Sequence, residues 1–188
     1  MDKTKNLYRA LSDSTATEQW LESDLLQTRV LFDDQQPFGS WEMAVAFFHG
    51  ADSLREQLQE QHQGYDLFRR EYPMMFLYRH ALELFLKHAL QQPAHGHSLA
   101  NLLNLFVVEV QERYDEDISR SWFVTEIREL SEIDPIGQSF RYSSQRDGKP
   151  ALTSAFFLDL EDLGKRMFAL YSVSLHMGLA GGAFTRSE

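Results

Sequence analysis

Cysteine is absent from the 188 residues, so no disulfide, Cys-ligated zinc, iron–sulfur cluster or thiol nucleophile can be built. Long apolar runs are missing too. No stretch approaches the ~18 residues of a membrane-spanning helix, and the start MDKTKNLYRA has no apolar signal core, so a soluble cytoplasmic protein is expected. Basic residues are in deficit, with 18 Lys and Arg against 28 Asp and Glu and a formal charge of −10. That balance argues against general nucleic-acid binding and against anionic membranes, because phosphate affinity is built from Lys and Arg. What is plentiful is apolar and aromatic: 43% hydrophobic residues and 14 Phe are enough for a real core, which excludes wholesale disorder.

The charge is unevenly placed. Residues 109–134 hold nine acidic side chains against Arg113, Arg120 and Arg128, and residues 11–50 hold seven against Arg29 alone. Beyond the N-terminus only two segments are net positive. One is 64–90, with Arg69, Arg70, Arg79 and Lys87; the other is 135–150, with Arg141, Arg146 and Lys149. Either this is ordinary variation over solvated faces, or the two segments meet and form a local positive site in an acidic body.

Helical periodicity dominates the chain. Thr15-Ala16-Thr17-Glu18 has capping-box spacing and opens a helix with Trp20, Leu21, Leu25 and Phe32, ending near Asp33–Gln36. Ser40 caps a second, with Ala44, Phe47, Phe48, Ala51, Leu54 and Leu58 on one face. Pro73 is read as the first residue of a third, Pro73–Gln91, apolar around most of its circumference and therefore central. Ser98 starts a fourth, Ser121–Ile133 is a fifth, and Asp159 caps a last one, with Leu163, Met167 and Leu170 inward. The stretch 134–150 contains Gly137, Asp147-Gly148 and Pro150, which mark a long irregular loop or a short hairpin. The expected fold is an all-α, single-domain helical bundle of about six helices over 1–177, with 178–188 as a frayed tail. Phe47-Phe48, Phe123 and Phe156-Phe157 are expected in the core; an exposed aromatic among them would mark a partner interface.

On the third helix Arg79, Glu83 and Lys87 recur at i, i+4 and form one stripe. Two readings are open. The stripe is the single wetted face of a buried helix, held by local ion pairs. Alternatively, it faces a cleft and receives an anionic group, with His97 and Arg141-Tyr142 completing the site. No cofactor and no metal are expected. His80 and His88 stand ~12 Å apart along the helix axis, and His95 and His97 lack a third ligand in register. Acidic clusters such as Asp115-Glu116-Asp117 read as solvated turns, and no nucleophile elbow or phosphate-binding glycine loop is present.

Tyr78-Arg79-His80-Ala81-Leu82-Glu83-Leu84-Phe85-Leu86-Lys87, then Gly96-His97-Ser98-Leu99, then Asp134-Pro135 and Phe140-Arg141-Tyr142, together resemble a group of bacterial HEPN-like proteins over roughly residues 70–175. The resemblance implies a helical bundle, frequently dimeric, of the kind found in toxin–antitoxin and phage-defence systems. Active members of that superfamily are metal-independent ribonucleases with Arg, four to six residues, then His. Here only Arg55 and His62 have that spacing, on one helix face two turns apart. Glu56 follows the arginine where the family prefers Asn, Asp or His, and the pair lies in the second helix rather than near the end of the bundle. A chance pairing at a Gln-rich helix end is the preferred reading. The resemblance then implies a non-catalytic interaction module, immunity- or antitoxin-like, whose acidic surface takes a basic toxin or nuclease.

Overall fold

The computed structural model describes residues 39–60, 70–91, 96–145, 147–152 and 155–179, with side chains described to His176. The expected helix over Thr15–Phe32, together with His62, His95 and residues 180–188, lies outside the described residues. Within them the protein is an all-α bundle of five helices: α1 Ser40–Glu60, α2 Glu71–Leu90, α3 Leu99–Tyr114, α4 Trp122–Ile133 and α5 Leu160–Leu179.

Local chemistry sets most of the boundaries. The Ser98 hydroxyl accepts from Asn101 N, and Ser121 does the same for Val124 N, each at 3.3 Å. The Asp159 carboxylate takes the amides of Glu161 and Asp162 at 2.9 Å. Each satisfies amides that the first helical turn leaves without partners. At α2 the expectation is corrected. The helix begins at Glu71 rather than Pro73. Proline lacks only an N–H, and none of the first-turn amides has an intrahelical partner, so it is tolerated anywhere in that turn.

The core is built around α2. It runs antiparallel to α1, with Trp41 against Phe85 (5.2 Å between ring centres) and Phe48 against Tyr78 (5.5 Å). Ala44, Phe48 and Ala51 are the buried α1 positions, and the two alanines let the helices approach closely. Helix α5 lies on the same pair, Tyr171 stacking on Phe48 at 4.1 Å. Helix α3 packs on α2 and buries Leu99, Leu102, Leu103 and Phe106, and α4 joins α3 with Phe106 facing Phe123. Arg166 of α5 ties back to α4 through Glu126 (2.5 Å) and Glu129 (2.6 Å).

The described residues between α4 and α5 are irregular and contain a short hairpin turn. Ser144 and Pro150 form an isolated bridge, and Gln145 N donates to Lys149 O. The expectation for Phe156-Phe157 is overturned: Phe156 is 42% exposed and Phe157 fully so. In this non-helical stretch neighbouring side chains diverge, and it is Leu158 that packs on the core. Among the described residues no helix is long and apolar enough to cross a membrane.

Candidate functional site

The i, i+4 stripe of α2 lies at the centre of the molecule. Arg79 and Glu83 are each 1% exposed, so only the Lys87 end of the stripe reaches solvent. Glu83 is the hub. Its Oε2 takes Arg79 Nη1 at 2.8 Å, and its Oε1 takes both Lys87 Nζ and His97 Nδ1 at 2.8 Å. His80 Nδ1 stands farther off, at 3.8 Å. The remaining partners of Arg79 come from distant loops. Its Nη2 donates to His97 O (2.5 Å) and its Nε to Asp134 O (3.3 Å).

Asp134, completely buried, supplies the second carboxylate. Its Oδ1 accepts from Gln138 N and Ser139 N at 2.8 and 2.9 Å, which folds the chain back after α4. Its Oδ2 lies 3.2 Å from Arg79 Nε, yet that N–H is spent on the main-chain oxygen, so Oδ2 takes no hydrogen bond. The contact there is electrostatic. Gly137, at φ +73°, completes the turn. A Cβ on it would stand 2.9 Å from Arg79 Nη1, so only glycine lets the loop lie against the guanidinium.

Charge balance follows from this list. Arg79 and Lys87 are matched by Glu83 and Asp134 without help from the histidines. Burial pushes the Glu83 carboxyl up, but the nearby His80 ring and hydrogen bonds from Lys87, Arg79 and His97 outweigh it and hold it well below the usual carboxylate range. A depressed carboxyl stabilises the fold fully above its ordinary value of 4.5. Below that the unfolded chain takes up the proton first, and the contribution is lost as pH falls toward the folded value. Urea midpoints measured from about pH 6 to about pH 2.5 should therefore drop below pH ~4.5 in the wild type and drop less steeply in Glu83→Gln. Equal slopes would show that Glu83 does not govern acid stability.

The structure thus brings Arg79, Glu83, Lys87 and His97 together and adds Asp134. Arg141 and Tyr142 are not part of the cluster. Arg141 is exposed, donates from Nε to Gly137 O at 2.5 Å, and lies over the rings of Phe76 (5.4 Å) and Tyr142 (5.9 Å). Gly137 stands between the two arginines, with Arg79 packed behind it and Arg141 on the solvent side. The two positive segments of the sequence do meet, but Arg79 and Arg141 do not converge on one open point.

Arg55 is engaged elsewhere. Its Nε donates to Asp52 Oδ1 (2.8 Å) and its Nη1 to Gln59 Oε1 (2.5 Å). A Cβ on Gly164 of α5 would meet this guanidinium at 2.8 Å, so the arginine is wedged between helices. The same Asp52 oxygen accepts from Tyr78 OH (2.9 Å), and burial followed by that bond pushes the Tyr78 pKa well above its ordinary range. Its spacing partner His62 lies outside the described residues.

Among the described residues no three His, Asp or Glu side chains are grouped so as to hold a metal ion. Periodicity did not reveal Asp134 as the partner of Arg79. The available signal was its place in Asp134-Pro135 at the end of α4, which read simply as a helix stop. Comparison with protein-family models, with curated proteins and with solved structures finds no match to this chain.

Proposed function

We propose that this chain is a non-catalytic interaction module of the HEPN-like type, which captures a basic protein in the cytoplasm as immunity or antitoxin-like proteins of bacterial defence do. The observation that carries the reading is the turn between α3 and α4. Glu112, Asp115, Glu116 and Asp117 are all exposed there, flanked by Tyr114 at 48% and Trp122 at 45% exposure. Exposed aromatics beside exposed negative charge suit a partner interface, the charge steering encounter and the rings supplying contact area. The arginines of the family-like motif do not compete for this role. Arg79 is consumed internally, and Arg141 is held on Gly137 and Phe76.

A pull-down from the native host at low salt should recover a basic protein. With the purified pair, Kd should rise about tenfold or more between low and physiological-to-high salt. Glu112→Lys/Glu116→Lys should weaken binding further, mainly through the association rate, since neither side chain caps a helix. Recovery of no partner at low salt, or binding indifferent to salt and to these reversals, would sink the reading.

A further inference from the structure

A cleft of about 250 Å³ opens between the first turn of α2 and the chain that follows the hairpin. Met75, Leu152 and Leu158 supply apolar walls, Tyr72 and Phe156 supply aromatic ones, and Glu71 is the one charged residue lining it among the described residues. Ligand pockets for cofactors and nucleotides run ~300–1,000 Å³, so this one is sized for a single side chain. Apolar walls ending in a carboxylate match one kind of occupant: a long cation whose methylene stem is buried while its head stays at the mouth.

We propose that the cleft seats an arginine side chain of the basic partner, its guanidinium on the Glu71 carboxylate and against the Tyr72 and Phe156 rings. The proposal rests on the module reading for the identity of the partner. Arginine suits the site better than a compact ammonium, because a planar guanidinium stacks on aromatic faces while hydrogen-bonding a carboxylate.

The α2 N-terminus opposes a cation with about half a positive charge, which the full charge of Glu71 exceeds. Nearby Arg70 is directed to Gln57 of α1 at 3.2 Å, and no ion pair to Glu71 is made by any described residue. Phe157, wholly exposed next to the lining residue Phe156, is the natural second contact once a partner is seated. An aromatic side chain buries ~150–250 Å² when covered.

The test uses the full chain with ¹³C-labelled methyl groups and two small probes, N-acetyl-arginine methylamide and its neutral counterpart N-acetyl-citrulline methylamide. The arginine probe should give saturable shifts at the Met75, Leu152 and Leu158 methyls. The citrulline probe should bind at least about fivefold more weakly, and Glu71→Gln, a change at an exposed position, should weaken the arginine probe by a similar factor. Absence of shifts at these methyls, equal binding of the two probes, or indifference to Glu71→Gln would each overturn the proposal. Because the probes are single residues, the result is independent of partner capture. A captured partner with a silent cleft removes the cleft alone, and an occupied cleft without any partner removes the module reading alone.

Discussion

Replacing Arg79 with methionine is expected to lower the stability of the fold by about 3–5 kcal/mol, the usual cost of breaking a buried ion pair from one side. Methionine keeps the unbranched stem out to the Nε position, so the larger part of the loss is electrostatic. Asp134, already short of one hydrogen bond at Oδ2, would be left fully buried with no counter-charge, and His97 O would lose its donor. Glu83 would fare better, because Lys87 and His97 remain on its other oxygen. Against a total of roughly 5–15 kcal/mol for a domain, such a loss is severe. Urea denaturation should show a lower midpoint with an unchanged slope, and the melting temperature should fall by about 10 °C. A loss under about 1 kcal/mol would mean that Arg79 is not the pin of the structure.

The second large effect is expected at Gly137. Alanine there meets two costs at once. Left-handed backbone costs about 1–2 kcal/mol for a residue with a Cβ. The methyl would also press on Arg79 at 2.9–3.2 Å across three guanidinium atoms. A flexible surface arginine would swing aside. This one is held by Glu83, His97 O and Asp134 O, so the 134–141 loop must lift instead. The expected loss is about 2–4 kcal/mol in urea midpoints. Hydrogen exchange should show the Gln138 and Ser139 amides, which donate to Asp134, losing protection first. Gly148→Ala is the control. It has the same backbone sign (φ +84°) and nothing within 4 Å of the added Cβ, so it should incur the backbone cost alone.

Local features of the chain were readable because local physics produces them. Ser98, Ser121 and Asp159 cap helices where capping chemistry places them, and the nearly all-apolar α2 is central because no wetted position could hold it. The Arg79–Glu83–Lys87 stripe was visible at i, i+4, and His97 was rightly grouped with it. Whether that stripe met water or a cleft could not be read locally; Arg79 and Glu83 are buried, and only the Lys87 and His97 edge reaches solvent. What buries it is Asp134, brought in from 55 positions away, and periodicity within one helix carries no trace of such a partner. The same limit explains Arg141, which finds the ring of Phe76 rather than Glu83, and Phe157, whose direction depends on an irregular segment without a repeating face.

The clamp that joins residue 79 to residues 97 and 134 also has a consequence in time. Its bonds close only after long stretches of chain have been gathered, and closing such loops is costly, so they are expected to form late in folding. Interactions missing from the transition state leave the folding rate nearly untouched and act on the way out. Loss of the buried arginine is therefore expected to speed unfolding more than it slows folding, shortening the lifetime of each folded molecule.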